Sequence, residues 1–189
     1  KDGETIKLLG EVTLTDDLTI SNNVTIAAED GTVAIKRGNA DANLILAGDV
    51  TFLNVTLDGA AGSYDAPMVE IVRGGSMALA DGSTLTQPKL TFQNKTVSFD
   101  GAEIVSANDS DGVVLKYTDA GELVLPDVAQ VEYLVVGGGG SGGTNDKDNK
   151  YAKSGNGGEV KAGELVWLAN GSYTVKVGAG GAAQTSAKS

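Results

Sequence analysis

The chain repeats one short pattern: an apolar residue, a small or polar one, then another apolar one. Val12-Thr13-Leu14, Leu18-Thr19-Ile20, Val24-Thr25-Ile26, Val33-Ala34-Ile35, Val50-Thr51-Phe52 and Val55-Thr56-Leu57 set it, and Val69-Glu70-Ile71, Met77-Ala78-Leu79, Leu90-Thr91-Phe92 and Val97-Ser98-Phe99 continue it. Alternation with a period of two puts the outer side chains of each triplet on one face and the middle one on the other. Enrichment in β-branched residues agrees with strand, and no stretch sustains a 3.6-residue period. Ile26 and Leu57 are therefore expected to point inward, and Thr25 and Thr56 outward.

Strands of three to five residues, interrupted by Asp, Asn and Gly, are too short for an ordinary sandwich. They suit a solenoid, in which each coil supplies a few short strands and stacking supplies the length. Weak repetition agrees: "GEVTL" at Gly10–Leu14 recurs as "GDVTF" at Gly48–Phe52, and "NVTI" at Asn23–Ile26 as "NVTL" at Asn54–Leu57. At roughly 22–25 residues per coil, the segment up to about residue 117 would hold about five coils. Val12, Leu18 and Val24 are spaced by six, as in a left-handed hexapeptide helix, but that period fails after Ile26. Uneven turns favour a right-handed parallel β-helix. "DGETIKLLGEVTLTDDLTISNNVTI" and "VTFLNVTLDGA" with "MVEIVRGGSMALADGSTLT" make this stretch resemble the right-handed, pectate-lyase-like β-helix modules of bacterial cell-surface proteins.

Near Asp119 the texture changes. "AGELVLPDVAQ" (Ala120–Gln130) carries a proline and reads as a junction or an entering strand. "VEYLVV", three glycine-rich tracts and "GELVWLANGSYTVKVGAGG" come next. Asn170-Gly171 sits between two β runs, and both residues accept the positive φ of a hairpin turn. Residues 121–189 resemble the bacterial and phage glycine-rich domain, in which a strand ending "YLVVGGGG" precedes a segment such as Tyr173–Gly181, "YTVKVGAGG". The polar insertion Thr144–Ser154, "TNDKDNKYAKS", departs from that resemblance. The expected organisation is all-β: a right-handed parallel β-helix over residues 1–120 and a small glycine-rich β domain over 121–189.

Composition narrows the chemistry. The 189 residues carry 25 Asp plus Glu against 14 Lys plus Arg, a formal net charge of −11. That balance disfavours a nucleic-acid partner, which needs clustered positive charge. With neither His nor Cys, imidazole or thiolate metal sites and His-based triads are excluded. No apolar run approaches the roughly 18 residues of a membrane helix, so no membrane insertion is expected. No secretory leader appears, although a chain opening "KDGETIKLL" could have lost one.

Gly137-Gly138-Gly139-Gly140-Ser141-Gly142 fits G-x-G-x-x-G, but a dinucleotide site needs a helix immediately after it. The chain instead continues as "GTNDKDNKYAKSGNGG", without an apolar helical face. No cofactor is expected, and the glycines are assigned to close backbone packing or unusual turns. Asp16-Asp17 could act as paired glycosidase carboxylates, yet adjacent strand residues point apart and a turn is the simpler assignment. Arg37 and Arg73, the two arginines, sit in no lyase motif. "NDKDN" (Asn145–Asn149) spaces oxygens like part of a calcium loop but lacks the later Glu and the central Gly. Thr13, Thr19, Thr25, Thr51 and Thr56 are expected to scatter around the coil, Asn23 and Asn54 to stack as a turn ladder, and Trp167 to be core.

No catalytic or metal-binding residue is assigned. Binding is expected in exposed loops, at Tyr64 and Asp65 of the Gly59–Pro67 loop and at Tyr151 of the polar insertion. The expected role is a non-enzymatic structural or adhesive module of a secreted or wall-attached bacterial surface protein. It would be monomeric in isolation and meet a host glycan or matrix protein. A fragment of a β-helical carbohydrate-active enzyme and a phage-type receptor-binding tip, with glycine tracts packed as extended helices, are the alternatives.

Overall fold

The computed structural model describes residues 1–60, 64–142 and 154–182. The described residues form strands and no helix. Contacts divide the chain into two units, Lys1–Pro126 with Gly171–Val175, and Asp127–Asn170 with Lys176–Ser189.

The first unit contains a β-solenoid of about three turns. Each coil crosses three faces. One face stacks β1 (Glu4–Leu8), β4 (Val24–Ala28), β7 (Asp49–Leu53) and β10 (Ser76–Leu79) in parallel. The second stacks β2 (Val12–Leu14), β5 (Val33–Arg37), β8 (Val55–Asp58) and β11 (Thr84–Leu85). The third stacks β3 (Leu18–Ile20), β6 (Leu44–Leu46), β9 (Val69–Ile71) and β12 (Lys89–Phe92). Register aligns the apolar positions into interior columns: Val24 with Val50 and Met77, Ile35 with Leu57 and Leu85, Leu46 with Ile71 and Phe92. Ile26 and Leu57 are buried as the alternation requires. Each such side chain contributes about 1.5–3 kcal/mol relative to exposure.

The corners explain the short strands. Gly75, before β10, lies so close to Leu46 O that any side chain would overlap it. Gly48, before β7, packs equally tightly on the backbone of Asn22. Polar side chains tie successive coils at this corner: Asn23 N donates to Asp2 Oδ1 (3.0 Å), Asp49 N to Asn23 Oδ1 (2.8 Å) and Ser76 Oγ to Asp49 Oδ1 (2.7 Å). Asn23 and Asn54 do not stack on each other. Asn23 leads into β4 on the first face and Asn54, at φ 56°, into β8 on the second. The "GEVTL" and "GDVTF" copies likewise lie on different faces, in β2 and β7. The repetition therefore records a shared corner-and-strand grammar, not one coil laid on the next. The six-residue spacing of Val12, Leu18 and Val24 is the step from face to face.

The solenoid is shorter than the five coils expected because the last triplets merge. β13 (Lys95–Asn108) turns back antiparallel to both β12 (Leu90 opposite Val97) and β10 (Met77 opposite Ala107). β14 (Gly112–Leu125) pairs antiparallel with β13, and β17 (Gly171–Val175) with β14. Gly101, at φ 76°, lies at a register shift between Asp100 and Ala102, so the strand bends without ending. Phe99, Ile104 and Ala107 are buried in the core and close this end. At the other end β1, β2 and β3 are edge strands. They rim an apolar depression of about 360 Å³ lined by Ile6, Leu8, Leu18, Ile20 and Ile26.

In the second unit, β15 (Ala129–Val136) and β16 (Val160–Leu168) form a two-stranded antiparallel ribbon. Asn170-Gly171 does not close a hairpin. β16 pairs with β15 and β17 with β14, so the chain changes partner there, with Gly171 at φ 144°. The local turn chemistry is used, but partners distant in sequence decide the pairing.

Candidate binding surface

The best-organised exposed feature is the Gly59–Pro67 loop, of which Gly59, Ala60 and Tyr64–Pro67 are described. Two interior polar side chains hold it. In "VAIKR", Arg37 falls in the same inward phase as Val33 and Ile35, and it stacks on Leu14 of the preceding coil. There its guanidinium donates through Nε to Ala42 O (2.9 Å), through Nη1 to Ala66 O (2.7 Å) and through Nη2 to Pro67 O (2.8 Å) and to Asn43 Oδ1. Gln87, also buried, donates to Tyr64 O (3.2 Å) and Ala66 O (3.0 Å) and accepts from Met68 N (2.9 Å). Gly59 leaves room for this, since a side chain there would run into Gln87 and Met68.

Tyr64 lies with its ring centroid 5.8 Å from Arg37 Cζ, within cation–π range, and its hydroxyl donates to Gly38 O (3.3 Å). Asp65 is fully exposed and pairs with Lys89 Nζ at 2.7 Å. The hydrogen bond from Lys89 and then its charge hold the Asp65 carboxyl below the usual carboxylate range. Burial lowers the pKa of the Arg37 guanidinium, while Tyr64, Asp17 and Asp41 act in the opposite direction. A guanidinium stays charged through such a shift. The structure thus brings Tyr64 and Asp65 together with Arg37, Gln87 and Lys89, none of which the sequence marks as their partner. Arg37 was legible as a charge in the inward phase of β5. Gln87 lies beyond its strand and left no such signal.

The remaining candidates separate. Tyr151 and the Asn145–Asn149 segment lie outside the described residues. Asp16 accepts from Thr15 Oγ1, and Asp17 Oδ1 accepts from Asn43 N and Nδ2 at 2.9 Å each, so this pair forms a turn that braces the next coil. Thr25 and Thr51 stack with Thr5 in one column, whereas Thr13 and Thr56 lie on the second face and Thr19 on the third. Trp167, expected as core, is 68% exposed, because β15 and β16 form a ribbon only two strands wide.

The glycine tracts pack backbone against backbone. Gly137 N donates to Glu159 O (2.7 Å) and Gly140 N to Asn156 O (2.8 Å). The bonds recur every third residue on both segments, the period of an extended threefold helix. Gly181 N joins the third tract through Gly139 O (2.9 Å). A side chain at Gly155 would overlap Gly140 O, and one at Gly158 would overlap Gly137 O. The expected structural use of these glycines is therefore visible as close approach.

These features define an all-β protein made of a β-solenoid and a glycine-rich unit. Residues 118–189 match the family model of a glycine-rich domain. The match covers the end of β14, all of β15 to β17 and the three tracts, so the ladder of Gly121–Leu125 with Gly171–Val175 lies inside it. No curated protein and no solved structure matches the chain.

Proposed function

We propose that this chain is a non-enzymatic structural and adhesive module of a bacterial surface protein, acting outside the cell. Its solenoid is assigned to the right-handed, pectate-lyase-like type and serves as a spacer. The loop carrying Tyr64 and Asp65 contacts a host glycan or matrix protein. One observation carries the reading: Tyr64–Pro67, the described end of the loop, is fastened from within by Arg37 and Gln87. A segment held in place before it meets its partner loses less entropy on binding, which is what a display surface needs. The groups that could do chemistry nearby are already engaged. Arg37 faces backbone carbonyls, Asp17 holds Asn43 and Asp65 holds Lys89.

The three-residue period of the glycine contacts favours a second reading, a phage-type receptor-binding tip with extended glycine helices as scaffold. The test is a glycan and matrix-protein array beside assays for polysaccharide cleavage. Binding that weakens in Tyr64→Ala and Asp65→Ala, without cleavage, supports adhesion. Binding to bacterial envelope components alone supports the tip, and release of reducing or unsaturated sugar ends overturns both in favour of an enzyme.

A further inference from the structure

The β15–β16 ribbon has apolar side chains on both of its faces. Antiparallel register places cross-strand partners on the same side. Val131 opposite Val166, and Tyr133 opposite Gly163, define one face; Leu134 opposite Ala162, and Val136 opposite Val160, define the other. Tyr133 lies across Gly163 so closely that a side chain there would overlap its ring. Tyr133, Leu134, Val135, Val136, Val160, Leu165, Val166 and Trp167 are nevertheless between 40% and 68% exposed.

A lone two-stranded ribbon is marginal in water, and a contiguous apolar patch of this kind marks an interaction site. We propose that the ribbon is an assembly interface that takes a second copy of this chain. This departs from the monomer expected from the sequence and does not depend on what Tyr64 and Asp65 bind.

Two observations select a second copy. The apolar exposure divides between the two faces, and its larger share, with Leu134, Val136, Val160 and Trp167, lies on one of them, a side that a single second copy can cover. Among the described residues, no further strand pairs with the outer edge of β15 or of β16. An occupant must therefore bring a row of backbone donors and acceptors as well as an apolar face, which a glycan cannot. Another copy of the ribbon supplies both, and a twofold arrangement makes the contact self-complementary. Charge is sparse on it: Lys161 is paired with Glu159 at 3.5 Å, and Glu132 of β15 and Glu164 of β16 are the other charged residues of the two strands.

The experiment uses the full chain and its single tryptophan. Interfaces of standard area span micromolar to picomolar affinity, so sedimentation velocity and Trp167 emission are followed from about 0.01 to 100 µM. A dimer or larger closed assembly is expected. Trp167 emission should shift to the blue, and acrylamide quenching fall several-fold, as mass increases. Leu134→Thr and Val136→Thr place strand-favouring β-branched residues while removing apolar area, and should shift the association midpoint at least tenfold upward with the far-ultraviolet spectrum unchanged. A wild-type chain that stays monomeric at 100 µM overturns the proposal, whether Trp167 is quenchable or protected. Binding of the monomer to phosphatidylcholine vesicles without self-association overturns it equally.

Discussion

Removing the charge that ties the Gly59–Pro67 loop to the solenoid should loosen both. In Arg37→Met the side chain keeps much of its apolar stem, but Ala42 O, Pro67 O and Asn43 Oδ1 lose their bonds from the guanidinium. Ala66 O keeps the bond from Gln87. Each stranded acceptor costs about 1–3 kcal/mol, and three of them amount to about 5 kcal/mol in total. Release of the guanidinium's own burial penalty offsets part of that, leaving a net loss of about 3 kcal/mol. Over a unit of this size, such a loss lowers the melting temperature by roughly 6–12 °C. Arg37→Lys should lose an intermediate amount, since one ammonium cannot reach acceptors spread in a planar fork. Calorimetry gives the global figure, while limited proteolysis and amide exchange at Tyr64–Asp65 report the loop. If Arg37→Met melts within about 1 °C of the parent and the loop stays protected, Arg37 is not its anchor.

Other substitutions test other layers. Ile26→Asp and Leu57→Asp bury an unpaired carboxylate and should each cost at least about 4 kcal/mol in chemical denaturation, whereas Thr25→Lys and Thr56→Lys should cost less than about 1 kcal/mol; equal losses would refute the inside–outside assignment. Gly158→Ala and Gly155→Ala place a methyl group against a carbonyl of the neighbouring tract and should destabilise the glycine-rich unit, while Gly157→Ala, which meets open space, should not; equal carbon chemical-shift changes for all three by NMR would count against backbone packing. Because the folded Asp65 carboxyl is depressed by Lys89, the pair is intact above the unfolded carboxylate range and is lost as pH falls through the lower folded value. Lys89→Met should raise the Asp65 titration midpoint towards the ordinary carboxylate value of 3.8, and an unchanged midpoint would remove Lys89 as the cause.

Strand identity was legible because a triplet of alternating character reports its own burial. β2, β3 and β9 coincide with their triplets. Which strand stacks on which was not, because residues left over at each corner carry no pattern: the step from Glu4 to Val24 is 20 residues and that from Leu57 to Leu85 is 28. Val97-Ser98-Phe99 looked like one more coil because the Gly101 bulge interrupts the alternation without ending the strand. Of the binding surface, Tyr64 and Asp65 followed from loop composition. Their partner Lys89 opens β12 one coil later, a proximity created by the fold alone. Trp167 had the apolar neighbours of a core residue, and only the width of its sheet shows otherwise.

The solenoid, sealed at one end by β13 and β14, has a mechanical direction. Its interstrand bonds lie along the axis, so tension applied to the two ends loads the coils in series. Successive coils are joined on each face by short parallel ladders, five pairs between β1 and β4 and three between β2 and β5, so each junction carries the load in turn. The cap is crossed by pairings between Met77 and Ala107 and between Leu90 and Val97, which must part together. Under tension the junctions between coils should therefore part before the cap, which is left as a base for refolding.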